Sequence, residues 1–227
     1  MREIVFDTET TGMDPAEGDR VVEIGAVELE NHLPTGRVYH QYINPERDVP
    51  AEAAAVHGLT TERLKDEPTF GEIVGDFMDF IGEDAKLIAH NAEFDMKFIN
   101  AEIKTYGFPK IDDKRVIDTL VIARKKFPGS PANLDALCRR FHIDNTSRTL
   151  HGALLDSELL AEVYLELLGG RQRGLGIEAE RKKVETQASV NLERPYRAPR
   201  DFKISEEELS AHNDMLGDIK DAIWKQN

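Results

Sequence analysis

The sequence predicts an α/β domain with a mixed central sheet covered by helices on both faces, followed by a flexible linker and a C-terminal helical tail. Three observations carry this reading: β-rich runs open the chain as a meander, helical periodicity follows each later apolar run, and sustained apolar period is lost after Gly170. Glu3 to Asp7, Val21 to Leu29 and Val38 to Ile43 are the opening runs, separated by turn formers Gly12, Pro15, Gly18, Pro34 and Gly36. Short helical pieces follow at Ala51 to Val56 and Thr60 to Leu64. Phe70, Ile73, Val74, Phe77, Met78 and Ile81 recur at helical spacing and predict an amphipathic helix. Lys86 to Ala89 suits a buried strand; a helix from Glu93 to Tyr106 and a strand at Val116 to Asp118 come next. Leu134, Leu137, Cys138 and Phe141 mark another helical face, with Asn133 as its cap. The last helix of the domain runs from Ala153 to Leu168 and is stopped by Gly169-Gly170. Strands that precede helices, after an antiparallel start, make the sheet mixed.

The predicted boundaries are a domain at 1–168, a linker at 169–204 and a tail at 205–227. Within the linker, residues 171–203 are rich in Gly, Arg, Pro and Gln and carry 9 basic against 5 acidic side chains, which disfavours a packed core. Ser205 and Glu208 form a capping-box pattern, and Leu209, Leu216, Ile219 and Ile223 lie on one stripe. A single amphipathic helix cannot bury its own stripe, so the tail calls for a partner surface, with Trp224 as an anchor.

One cysteine, Cys138, excludes an internal disulfide and suits a reducing compartment. With no long apolar run and a charged pair after Met1, the expected location is cytoplasmic, without membrane span or signal peptide. The net charge of -14 argues against strong unaided binding to a polyanion. It is unevenly placed: residues 101–150 hold 10 basic against 6 acidic side chains, among them Arg124, Lys125, Lys126, Arg139, Arg140 and Arg148. A local basic track thus coexists with an acidic bulk, and a partner that delivers the substrate is expected.

Four carboxylates and a histidine carry the chemistry. Asp7 and Glu9 lie two apart in Asp7-Thr8-Glu9-Thr10-Thr11-Gly12 at a strand's end, so both point to one face while Thr8 points away. Alone, such a pair is more readily a solvated turn. Asp95 falls in the first turns of a helix, where its charge also suits the helix dipole, so by itself it is equally a helix-start acid. In one helix His151 and Asp156 would sit about 140° apart; with His151 in the preceding loop, both approach one centre. A loop-borne imidazole, whose ordinary pKa lies near about 6.5, suits a base that reaches an attacking water, although capping the helix is the plainer role. Buried together, four acids repel unless cations join them. All-oxygen ligands select hard divalent ions, Mg²⁺ or Mn²⁺, and two such ions about 4 Å apart serve displacement at phosphorus. The leading substrate is a phosphodiester. Absence of CxxC and HExxH removes the usual zinc readings, and the glycines after Gly169 lack the pattern of a phosphate loop.

In order and spacing, DTETTG, HNAEFD and HGALLD resemble the three motifs of the DEDDh 3′-5′ exonuclease family of the ribonuclease H-like fold, over residues 1–168. The resemblance implies that Asp7, Glu9, Asp95 and Asp156 are the acidic set, that Asp7, Glu9 and Asp156 hold the two divalent ions, and that His151 is the general base. Val56-His57-Gly58-Leu59, Arg148-Thr149-Leu150-His151-Gly152 and Ala161-Glu162-Val163-Tyr164-Leu165 are similar to segments of the family's proofreading members in bacterial replication. By that resemblance Thr10, Thr11, Met13, Val56, His57 and Phe94 line the pocket for a 3′-terminal nucleotide of single-stranded or frayed DNA, with core packing or a turn as the alternative for His57 and Phe94. Gln187, Ser189, Val190 and Leu192, within QASVNL, resemble the peptide by which replication proteins dock on the sliding clamp, with Leu192 where Phe is often found; the same residues also read as plain linker. The stretch from Ser205 to Trp224 resembles a polymerase-binding tail, and a small third subunit of the polymerase core is a further possible partner. An RNA exonuclease of the same superfamily and a non-catalytic stabiliser of a polymerase-clamp assembly are the competing readings.

Overall fold

A computed structural model describes residues 1–146, 148, 150–170 and 204–219. Gln187, Ser189, Val190, Leu192, Ile223 and Trp224 lie outside the described residues. The chain divides into two units, Met1–Leu175 and Gly176–Asn227.

The first unit is built on strands β1 (Arg2–Thr10), β2 (Val21–Glu30), β3 (Leu33–Tyr42), β4 (Lys86–Ala89) and β5 (Val116–Asp118), in the sheet order β3-β2-β1-β4-β5. The first three pair antiparallel as the predicted meander; β4 and β5 add in parallel on the other side of β1. Helices α1 (Ala51–His57), α2 (Thr61–Leu64) and α3 (Phe70–Ile81) precede β4, and α4 (Ala92–Thr105) follows it. After β5 come α5 (Thr119–Lys126), α6 (Leu134–Phe141) and α7 (Ala153–Leu167).

Alternation along β1 sets the two layers. Ile4 and Phe6 point to one face and join Phe70 and Phe77 of α3 with Phe98 and Ile99 of α4. Val5 points to the other and packs with Leu160 and Tyr164 of α7. Each such side chain stabilises the fold by roughly 1.5–3 kcal/mol when fully buried. α5 and α6 dock on the outer side of α7 through Ala123, Leu137, Cys138, Leu159 and Val163. Cys138 is therefore a core residue, and burial pushes its thiol up to about 11.

Close approach of α7 to the sheet requires Gly25. A Cβ there would sit 2.2 Å from the Ala153 carbonyl carbon and the Leu154 nitrogen. The Ser157 hydroxyl fixes the crossing by donating to the Gly25 carbonyl at 2.8 Å. Since Gly25 lies opposite Asp7 in the β1–β2 ladder, this contact also sets how near the start of α7 comes to the motif acids.

Three sequence expectations need correction. β1 does not end at Asp7 but continues through Thr10, because Asp7, Thr8 and Glu9 stay in register with Gly25, Ile24 and Glu23 before a shift at Thr10. β3 starts at Leu33, ahead of Val38: as an exposed edge strand it tolerates Pro34 and Gly36. Helix α5 is unforeseen, since it buries only Thr119 and Ala123 and ends in three basic residues, leaving little apolar period to read. In the second unit, helix α8 (Glu206–Asp218) begins with the predicted capping box. The Ser205 hydroxyl accepts from the Glu208 N–H at 3.2 Å, and the Glu208 carboxylate accepts from the Ser205 N–H at 3.1 Å. Leu209 and Leu216 lie within α8 and Ile219 just past its end.

Candidate active site

The site exists because β1 outruns β4. Their parallel pairing stops at Val5 opposite Ile88, and β4 ends at Ala89. Asp7 to Thr10 therefore continue with β2 on one side and no strand on the other. Asp95, in the first turn of α4, fills part of that gap: its Oδ1 accepts from the Thr8 N–H at 3.1 Å and from the Thr8 hydroxyl at 2.7 Å. Thr8 does point away from Asp7 and Glu9, as alternation requires, and there it holds the third acid. The chain enters α4 through Asn91, which adopts a left-handed conformation (φ 67°) suited to asparagine. Its N–H donates to the Asp118 carboxylate at 3.1 Å, which ties the start of α4 to the end of β5.

Across the overhang, α7 brings Asp156, and the loop before it brings His151 and Arg148. A cavity of about 380 Å³ is lined by Asp7, Thr8, Glu9, His90, Asn91, Phe94, Asp95, Asn133, Leu134, Asp135, Arg148, His151 and Asp156. All five predicted catalytic residues, Asp7, Glu9, Asp95, His151 and Asp156, thus converge on one cleft. One ligand atom each from Glu9, His151 and Asp156 lies within 4.8 Å of the other two. His151 is half exposed, 3.5 Å from Asp156, and its backbone N–H donates to the Val56 carbonyl at 3.2 Å.

Electrostatics match a cation site. Burial first, then Asp95, Glu9 and Asp156, hold the Asp7 carboxyl well above the ordinary carboxylate range. Burial, then Asp156, Glu23 and Asp95, push Glu9 up to about 8. Asp95 is raised by burial, with the Thr8 hydrogen bonds opposing the shift. Among the described residues neither Asp7 nor Glu9 accepts a hydrogen bond from a side-chain donor. Oxygen-rich acids that cost free energy to ionise, with an imidazole at hand, fit hard divalent cations.

The predicted nucleotide-pocket residues are spread more widely. Phe94 lines the cleft and packs on Phe98, ring centroids 5.0 Å apart. Thr10, Thr11, Met13, Val56 and His57 are not part of its lining. Thr10 donates to the Gly12 carbonyl at 2.6 Å, and the Thr11 hydroxyl accepts from the Arg20 N–H at 3.0 Å. Met13 is 76% exposed. His57 is buried, accepts at Nδ1 from the Leu59 N–H at 3.0 Å, and is held below its ordinary pKa by burial.

Arg148 lines the cleft without having been assigned a role from the sequence, where it stood in a basic stretch and at the start of Arg148-Thr149-Leu150-His151-Gly152. Its Nε and Nη2 fork onto the two Asp156 oxygens at 2.5 and 2.7 Å, and its Nη1 reaches Asp135 at 2.8 Å. Nη2 also lies 2.8 Å from His151 Nδ1. An arginine three residues before His151 and eight before Asp156 was the available signal. Asp135, two residues after the helix cap Asn133, carried none.

A model of the exonuclease family matches residues 4–164. Over 223 residues the chain is 49% identical to the DNA polymerase III subunit epsilon of Rickettsia felis, covering 96% of this chain and 97% of that protein. It is 44% identical over 225 residues to the subunit of the same name from Escherichia coli, covering 95% and 92%. Among solved structures it resembles the nuclease domain of 3′hExo, a DEDDh family member, with a TM-score of 0.63, 21% identity and coverage of 74% of this chain and 91% of that one. At that identity the likeness concerns the fold, which is ribonuclease H-like.

Proposed function

Because the chain belongs to the exonuclease family, and within it to the DNA polymerase III epsilon subunits, we propose that its acidic cleft removes mispaired nucleotides from the 3′ end of newly made DNA. It is a 3′ to 5′ proofreading exonuclease, a hydrolase of phosphodiesters. Members of this family use divalent metal ions. The observation that carries the assignment to this cleft is the meeting of Asp7, Glu9, Asp95 and Asp156 with His151 beside the β1 overhang.

In this reading Asp7, Glu9 and Asp156 would hold two divalent ions, Mg²⁺ or Mn²⁺. Asp95, positioned by Thr8, supports the site directly or through water. When bound, such ions polarise the scissile phosphate and stabilise the leaving 3′ oxygen. His151, on its exposed loop, takes the proton of the attacking water, and the product is a nucleoside 5′-monophosphate. Phe94 stacks on the terminal base without regard to its identity. Thr10, Thr11, Met13, Val56 and His57 belong to the surrounding walls that meet the strand. A mispaired end enters more readily because it is already partly unpaired.

The domain boundaries 1–168, 169–204 and 205–227 belong to the same proposal. The tail 205–227 engages the polymerase III alpha subunit, 187–192 engages the sliding clamp, and a small third core subunit binds the nuclease domain. Tethering of this kind supplies effective concentrations on the order of mM, offsetting the weak grip of an acidic protein on DNA.

The test is digestion of 5′-labelled DNA and RNA oligonucleotides, with Mg²⁺ and with chelator, beside duplexes with paired or mispaired 3′ ends. Metal-dependent shortening that favours DNA and mispaired ends is expected. Preference for RNA would move the chain to RNA processing, and no cleavage at all would leave assembly as its role.

A further inference from the structure

Arg148 lines the acidic cleft. Its side chain is 9% exposed, and three of its nitrogens are engaged by Asp156, Asp135 and His151. Two consequences follow from elementary chemistry. First, both oxygens of Asp156 are held in a bidentate fork, the strongest geometry an arginine offers a carboxylate. A divalent cation drawn to the same carboxylate meets a fixed positive charge. Second, a guanidinium only donates hydrogen bonds. His151 Nδ1 therefore accepts, its proton sits on Nε2, and its single lone pair is committed to Arg148. An imidazole in that state has no lone pair with which to take a proton from water.

We propose that Arg148 is an internal counter-ion that competes with the divalent metal for Asp156 while occupying the one lone pair of His151, so that metal loading and arming of the base are one event. The inference rests on the reading of the cleft as the metal-dependent nuclease site. Entry of the cation displaces the guanidinium from Asp156, and the same movement frees Nδ1 of His151. Asp135, with its carboxylate half exposed at the mouth and already bonded to Nη1, offers Arg148 a place to remain after it leaves Asp156. The Arg148 backbone lies outside any helix or strand, so the displacement requires no element of the fold to move. Arg148 acts through Asp156 and His151, which makes it a positioning residue.

The test uses the full chain and two readouts other than turnover. Calorimetric titration with Mn²⁺ is expected to show Arg148→Ala binding about tenfold or more tightly than wild type, since a charge-assisted competitor has been removed. Its metal-free form is expected to melt at lower temperature. Arg148→Lys, a point charge without the fork, should fall between the two. In parallel, imidazole ¹⁵N spectra of the wild-type chain should show His151 protonated on Nε2 with Nδ1 as a hydrogen-bond acceptor without metal, and the Nδ1 resonance moving to that of a free acceptor on addition of Mg²⁺. This second measurement decides the question if Arg148→Ala fails to fold. Unchanged or weaker Mn²⁺ binding by Arg148→Ala, or a His151 Nδ1 resonance indifferent to Mg²⁺ that the wild type does bind, would overturn the inference alone. Absence of any metal binding by wild type would overturn the reading of the cleft and the inference together.

Discussion

β1 carries two sets of acids on one face, and they are treated in opposite ways. At its start, Glu3 is fully buried and fully served. The Tyr164 hydroxyl donates to one carboxylate oxygen at 2.9 Å, and the His32 backbone N–H donates to the other at 3.0 Å, with His32 Nδ1 2.9 Å away. At its far end, Asp7 and Glu9 face each other, Asp95 and Asp156, and no side-chain donor among the described residues bonds to them. A carboxylate supplied with donors serves the fold; one supplied mainly with other carboxylates awaits a ligand. The same strand, on the same face, thus separates structural from chemical roles by what is placed opposite.

Replacing acids at the two ends breaks that contrast most directly. Asp7→Ala is expected to lower turnover by about 10³-fold or more, to abolish metal-induced thermal stabilisation, and to leave the metal-free melting temperature unchanged or higher. A large drop in metal-free stability would mean that Asp7 holds the fold as Glu3 does. His151→Ala should cost about 10²-fold in turnover while sparing metal binding measured by calorimetry; a wild-type pH profile would remove His151 from the mechanism. Gly25→Ala presses a methyl group into the start of α7, with about 1–3 kcal/mol lost in denaturant unfolding and Asp156 moved away from Asp7. Full activity in that variant would show that the cleft does not depend on this contact. Glu3→Ala leaves the Tyr164 hydroxyl and a His32 donor unpaired and should cost about 1–3 kcal/mol of stability with turnover per folded molecule intact.

The comparison is sharpened further through pH. Glu9 keeps its proton in the folded chain up to about pH 8, against an ordinary value of 4.5. The folded state therefore binds more protons than the unfolded one between those values, and this contribution to stability is lost as pH rises through the window. Melting with chelator from pH 5 to 8.5 should show that decline, and Mg²⁺ should reverse it. A flat profile with chelator would mean that Glu9 ionises without cost.

Much of this was legible in the chain itself. Apolar runs bounded by turn formers located β4 and β5, and the strict 3.6 periodicity of Phe70 to Ile81 located α3. The motif acids were legible because their type and order restrict the chemistry. What stayed hidden depends on which elements the fold brings together. Asp7, Thr8 and Glu9 look like a turn until β2 is known to pair with them. Thr8 matters only because Asp95, 87 residues later, lands on it. Arg148 reads as surface charge until α6 and α7 bring Asp135 and Asp156 to it, and α5 hides because its inward side is small rather than apolar.

The early end of β4 has a consequence for engineering. A cleft made by a missing stretch of strand is deepened or closed by adding or deleting residues in one neighbour, without touching any reactive side chain. Two more residues on β4, continuing past Ala89 in register with β1, would lay backbone where Asp95 now meets Thr8 and seal the notch. A catalytic pocket of this type is thus specified by a difference in strand lengths, a quantity that a designer can copy onto any pair of parallel strands of unequal reach.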